Sequence, residues 1–221
     1  MAKKQEESPV SKKVQEALES DIYVKQALKL GIANCSAIAK KLSQDIDGSE
    51  DALKMAVLRF GQKVEKQYEC GQKDIGKVLA ATKIALLSNI CVLVFERSGQ
   101  AQKAIDSISA SDGEIFSVLA SQKAIIVITN DEFESKVISK VGKDCLLRKS
   151  SSLCMLRLSS PENIESVPGV ASHIIGSISE HGINIEELYS CYTDTNLVVA
   201  RKDALKAFEI LEKMCRAKPL D

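Results

Sequence analysis

Residues 167–191 read VPGVASHIIGSISEHGINIEELYSC, from Val167 to Cys191. Pro168-Gly169 cannot continue a strand and forces a turn. Beyond it, apolar side chains recur at Val170, Ile174 and Ile178, with Ala171 and Ile175 beside them. That is the spacing of a helix with one buried stripe. Gly182 follows the last periodic residue and takes a left-handed cap at little steric cost. Asn184-Ile185 then opens an extended run whose Ile185, Leu188 and Tyr189 point to a second apolar element. The order is strand, Pro-Gly turn, helix, glycine cap, strand.

Working outward, the same order recurs upstream. Composition changes at Lys83: Ile84-Ala85-Leu86-Leu87 and Ile90 to Phe95 are rich in strand formers, broken at Ser88-Asn89. Gln100 to Ser109 carries Ala101, Ala104, Ile105 and Ile108 at helical spacing. Ile115 to Leu119 and Ala124 to Thr129 read as strands around a hairpin turn at Ser121-Gln122. Glu132 to Val141 is a second helix, with Phe133, Val137, Ile138 and Val141 inward. Leu146 to Leu156 echoes Ile84 to Leu93, and each stretch is followed by a helix, two strands and a helix. An internal repeat of this kind lets like units pair. Each unit has the split β-α-β order of ferredoxin-like folds, which bury one sheet face under two helices. The expected fold class is therefore α+β: an N-terminal helical, helix-turn-helix-like domain over residues 1–72, then two tandem ferredoxin-like units over 83–143 and 144–221. No apolar run after Met214 supplies a last strand. Either that strand is missing or Leu146-Leu147 crosses between the units.

Leu153 to Met214 resembles an ACT domain, the small amino-acid-sensing module of aspartokinases and other amino-acid enzymes. The matching residues are Pro168-Gly169-Val170-Ala171, Gly182-Ile183-Asn184-Ile185, Ser190-Cys191-Tyr192-Thr193-Asp194, Val198-Val199 and Asp203 to Ala207. The upstream unit has Arg97-Ser98-Gly99-Gln100 in place of the Pro-Gly turn and lacks a Gly-Ile-Asn-Ile equivalent, so it reads as a degenerate copy. A turn such as Pro168-Gly169 exposes backbone N–H groups at a helix N-terminus, which suits a carboxylate. Asn184 offers an amide that can donate and accept, or else simply caps a strand edge. The resemblance implies an effector site built from this loop and the following strand start, between paired units. Carried onto this sequence, that gives Val167, Gly169, Val170, Ala171, Asn184 and Ile185 as effector-binding residues for a small amino acid. Asp194 is placed as a partner for the ligand's ammonium group. The resemblance further implies a homodimer.

The head reads differently. Pro9 and the charges of Met1 to Val14 suggest a frayed tail. Ile22, Ala27, Leu28 and Leu30 form a short apolar face ending at Gly31. Asn34 and Ser36 are good N-caps before Ala37, Ile38, Ala39 and Leu42. Ser49, with Glu50-Asp51 in the first turn, starts a third helix striped by Ala52, Met55, Ala56, Val57 and Phe60. Gln67 to Leu79 is a connector, with helix one option for it. Ala33 to Ala39 resembles the second helix of winged-helix regulators. If the head reads DNA, its third helix enters the major groove and presents Lys54, Arg59, Lys63 and Lys66, while Lys40 and Lys41 touch phosphate. Met1 to Gln72 holds 12 basic against 11 acidic residues, so charge does not decide between DNA and a protein partner.

Composition narrows the rest. Basic and acidic residues balance at 30 each, which excludes a basic surface over the whole molecule. No apolar run reaches the ~20 residues of a membrane span, and the polar N-terminus is no secretory signal. The seven cysteines include no C-x-x-C pair, and several lie in strand-like runs, as buried reduced thiols of a cytoplasmic protein do. His173 and His181 are eight residues apart on one helix, roughly 12 Å, too far to share a metal. Glu162, Glu165, Glu186 and Glu187 read as solvated faces. With no catalytic motif, the expectation is a non-enzymatic, amino-acid-sensing regulator without cofactor or metal. It is either a transcriptional regulator or, in the alternative, a non-catalytic regulatory subunit of an amino-acid biosynthetic enzyme.

Overall fold

A computed structural model describes residues 9–108 and 116–217. The first eight residues of the expected tail, Ser109, Ile115 and the last four residues lie outside the described residues. The chain divides into two compact units, the first ending at Asp74 and the second beginning at Ile75.

The first unit is helical. α1 (Pro9–Ser20) places proline where the helix needs no N–H, and buries Val14 and Leu18. The frayed-tail expectation is thus wrong for 9–14: an apolar pair four residues apart outweighs the neighbouring charges. Asp21 caps α2 (Ile22–Lys29) by accepting from the amides of Tyr23 and Val24, and Asn34 caps α3 (Cys35–Leu42) through the amide of Ala37. Gly31 takes φ +67° between them. α4 (Glu50–Ala80) follows, 31 residues without a break. The expected connector is part of this helix. Its glycines lower helix propensity but are tolerated, and at Gly61 a Cβ would press on Leu28 Cδ2 at 3.0 Å. Val14, Leu18, Leu28, Ala39, Leu53, Val57 and Phe60 form the core of this unit.

The second unit holds one antiparallel six-stranded sheet in the order β2-β3-β1-β4-β6-β5. Its elements run β1 (Lys83–Glu96), α5 (Gly99–Asp106), β2 (Phe116–Ala120), β3 (Ala124–Asn130), α6 (Glu134–Val141), then β4 (Leu146–Ser159), α7 (Val170–Ser179), β5 (Ile185–Cys191), β6 (Asp194–Ala200) and α8 (Ala204–Arg216). The order strand, helix, strand, strand, helix thus occurs twice. The hairpin at Ser121-Gln122 forms, with Ser121 Oγ accepting from the amides of Lys123 and Ala124.

The two 14-residue strands β1 and β4 explain the missing last strand. They pair along their whole length, from Lys83↔Ser159 to Phe95↔Leu146. Only the second half of β1 pairs with β3, and only the second half of β4 with β6. The first half of β4 therefore flanks β1 as a fourth strand for the upstream run. The first half of β1 does the same for the downstream run, so the strand sought after Met214 lies at Lys83–Leu87.

Each long strand bends at its middle. Register shifts fall between Leu87 and Ile90 on β1, and opposite Ile90 and Val92 on β4, where Asn89 and Ser152 take φ +60° and +59°. A bulge with its first residue left-handed is a known strand device. The β1 bulge also switches faces: Ile84 and Leu86 pack with the α7/α8 core, Cys91, Leu93 and Phe95 with the α5/α6 core. Left-handed backbone costs an ordinary residue about 1–2 kcal/mol, and asparagine less. Ser152→Gly is therefore expected to stabilise by about 0.5 kcal/mol after glycine's added unfolded-state entropy. Asn89→Gly gains nothing, because Arg201 Nη1 donates to Asn89 Oδ1 at 3.2 Å. Urea midpoints of the two variants check this.

Four helices cover one sheet face, joined on the α7/α8 side by Ile75, Val78 and Leu79 from the end of α4. The other face buries Ile90, Val92, Ile128, Leu153, Met155 and Val198, and among the described residues no helix contributes to that cluster. The sheet curls around it until the two edge strands meet: Ser117 on β2 and Tyr189 on β5 share a 2.9 Å hydrogen bond.

Candidate functional site

The loop between β4 and α7 is stiff for local reasons. A 3-10 turn over Glu162–Ser166 leads into Val167, and Gly169 takes φ +98° before α7 begins. Pro168 fixes one side of that kink and glycine the other. The first helical bond runs from the amide of His173 to the carbonyl of Gly169 at 2.9 Å. No side chain caps the helix start, so its opening amides have no side-chain acceptor. Val170, Ile174 and Ile178 anchor α7 in the core as the spacing predicts, and Gly182 takes φ +72° just beyond it.

A cavity of about 510 Å³ lies beside this loop. Four of the expected effector residues line it: Val167, Gly169, Val170 and Ala171. Its other wall is the second half of β5 and the hairpin beyond, through Leu188, Tyr189, Ser190, Tyr192 and Thr195. Asn184, Ile185 and Asp194 are not part of it. α7 is ten residues long, roughly 15 Å. β5 runs back along it, so the strand start lies at the helix's far end and the strand finish lies beside Gly169. Asn184 is exposed and donates from Nδ2 to Glu186 Oε1 at 3.4 Å. Ile185 packs against the core. Asp194 offers its carbonyl to Ser190 Oγ at 3.1 Å. The direction in which β5 returns was the missed signal; a helix followed by a glycine cap and a strand sends that strand back toward the helix start.

The polar groups at this cavity are mostly engaged. Tyr189 OH shares its proton with Ser117 and lies 3.7 Å from Met155 Sδ. Burial, more than any neighbour, holds this phenol above its usual range. Tyr192, at φ +52°, has its hydroxyl against Glu162, which raises its pKa. Thr195 is only 7% exposed, while the buried side-chain oxygen without a hydrogen-bond partner among the described residues is Thr129 Oγ1 on β3, outside this cavity.

The basic residues of the head do not make one surface. Lys40, Lys41, Lys54, Arg59 and Lys63 are all exposed. At 100° per residue, however, Lys54 and Lys63 point to opposite sides of α4. Exposed apolar groups are more evident there, with Ile22 77%, Tyr23 87% and Ile32 74% exposed. Both histidines are exposed, and His181 Nδ1 lies 2.7 Å from the carbonyl of Ser177.

One cluster was not legible in the sequence. Cys91, Asp131 and Glu134 bring three potential metal-ligand atoms within 4.8 Å of one another. Glu134 is already paired with Lys149 and receives Ser151 Oγ at 3.4 Å. Burial first, then the carboxylates of Glu134 and Asp131, pushes the Cys91 thiol up to about 12. An unfolded thiol loses its proton near 9.0, so above that pH the folded chain holds the extra proton. Stability contributed by Cys91 is thus fully present below pH 9 and is lost as pH rises toward 12. Urea midpoints at pH 8 and pH 10 should fall for the wild type and fall less for Cys91→Ala.

No protein-family model matches the sequence, and no curated protein matches it. Solved structures do. The chain is similar to the aspartokinase alpha and beta subunits at 15% identity and a TM-score of 0.50, covering 61% of this chain and 97% of that one. It is similar to the regulatory subunit of aspartate kinase from Thermus flavus at 10% identity and a TM-score of 0.50, covering 62% and 98%. Against the aspartate kinase of Clostridium acetobutylicum the values are 16% and 0.51, with 60% of this chain and 34% of the enzyme covered. The chain therefore spans about a third of that enzyme's length. Likeness at this identity is a likeness of fold, and it supports the ACT-type fold implied by residues 153–214. Among the described residues no helix is long and apolar enough to cross a membrane.

Proposed function

We propose that the chain senses a small amino acid at the cavity beside Gly169 and acts as a non-catalytic regulator of amino-acid metabolism. The observation that carries this is the pairing of an uncapped helix start, set by a left-handed glycine, with a cavity large enough for a free amino acid. The ligand's carboxylate meets the amides of Val170 and Ala171, and Glu165 and Thr195 face its ammonium. The cavity walls hold one carboxylate and no histidine, cysteine or lysine, equipment for binding more than for reaction. The kinship of fold with a regulatory subunit of aspartate kinase supports the same reading.

The output of the head is better matched to a protein than to DNA. Ile22, Tyr23 and Ile32 are exposed, and Lys54 and Lys63 diverge around α4. On this reading the chain is a regulatory subunit; salt-sensitive binding of the full chain to duplex DNA would restore the transcriptional one.

Thermal unfolding of the full chain with each of the twenty amino acids at millimolar concentration tests the sensing. A ligand present at 100 times its Kd stabilises by about 2.7 kcal/mol, which raises Tm by roughly 5–10 °C in a chain of this size. A flat response to all twenty ends the proposal.

A further inference from the structure

Resting on that reading of the cavity, we infer that its effector is an amino acid with an uncharged apolar side chain, of the leucine, isoleucine or methionine kind. Ile164, Val167, Ile175 and Leu188 supply the walls, each incompletely buried, and Leu188 is 43% exposed. Apolar surface left open around a concavity is core that an apolar ligand completes.

The polar groups of the cavity are too few for a second charge. Ser190 Oγ donates to the carbonyl of Asp194, Tyr189 OH is held by Ser117, and Tyr192's hydroxyl lies on Glu162. Thr195 adds one hydroxyl to the same wall and is 7% exposed. Glu165 is the one charged side chain of the lining. The helix amides, Glu165 and Thr195 together match a carboxylate and an ammonium on one carbon. Among the described lining residues no further charged side chain is left to pair a lysine ammonium, an arginine guanidinium or a second carboxylate, and a charge desolvated without a partner is strongly disfavoured. Selectivity is therefore set by what the walls fail to offer charged amino acids.

The test is calorimetric titration of the full chain with L-leucine, L-isoleucine, L-methionine, L-lysine, L-arginine and L-aspartate. At least one apolar ligand is expected to bind tenfold or more tightly than any charged one. Leu188→Asp puts a carboxylate on the wall from an edge strand, and is expected to weaken the apolar ligand at least tenfold while improving lysine. Leu188→Ser serves the same purpose without the charge if the aspartate variant does not fold, and should weaken the apolar ligand alone. A charged amino acid that binds more tightly than every apolar one, and loses binding in Thr195→Val, overturns the apolar assignment and leaves the sensing site standing. No binding by any of the six overturns this inference, and a flat response to all twenty amino acids would take the sensing site with it.

Discussion

Leu156→Ala should lower stability by about 3 kcal/mol and Tm by roughly 6–12 °C, whatever the chain's partners. Leu156 is fully buried and sits opposite Leu86 on β1 and Leu197 on β6. It is thus flanked on both sides of the sheet and covered by α7 and α8, in the cluster that includes Ile174, Ile178 and Leu211. Removing three carbons there loses both their transfer free energy and the contacts around the void. Two neighbours cannot close it: the strand on each side is itself hydrogen-bonded through this position. Leu205→Ala on α8 is the matched control, since that side chain is 70% exposed and its loss should stay within about 0.5 kcal/mol. Calorimetry of the two variants decides. A cost under 1 kcal/mol at Leu156 would mean that the helix-covered face is not the core of the sheet unit.

The sequence carries the elements of that unit more plainly than their partners. Val170, Ile174 and Ile178 lie where a 3.6-residue period puts them, β1 stands out by its branched side chains, and β4 by its echo of β1. Their pairing does not stand out. Lys83–Leu87 reads as the beginning of the upstream run, yet it serves the downstream one, because register is settled by which faces match and no local signal encodes that across 70 residues. The break at Ser88-Asn89 is a bulge inside one strand; a bulge and a strand end look alike until the partner is known. In the head, Gln67 to Leu79 reads as a connector with helix one option, and packing carries α4 through it. At the candidate site, the helix start was readable because Pro168 and Gly169 permit little else. The opposite wall was not, since Leu188, Ser190 and Thr195 belong to it through the return direction of β5. Cys91 and Glu134 meet for a similar reason, across 43 residues and two elements.

Gly169→Ala is expected to weaken effector binding at least tenfold, and Gly182→Ala to leave it unchanged within a factor of two. Both glycines are left-handed, at φ +98° and +72°, and each substitution should cost about 1–2 kcal/mol of stability for that reason alone. They differ in what surrounds them. A Cβ at residue 182 meets nothing within 4 Å, whereas one at residue 169 stands 3.1 Å from Ile75 Cδ1 and on the wall of the cavity. Ile75 Cδ1 can give by a few tenths of an ångström, but the backbone strain falls on the cavity wall itself, and a loop that turns to relieve it turns the amides of Val170 and Ala171 with it. A tenfold loss is only 1.4 kcal/mol, less than the cost of misdirecting two hydrogen bonds to a carboxylate. Comparing the two variants separates binding from folding, because stability falls in both and affinity in one. Equal affinities in the two variants would show that the bend at Gly169 serves the fold and holds no ligand.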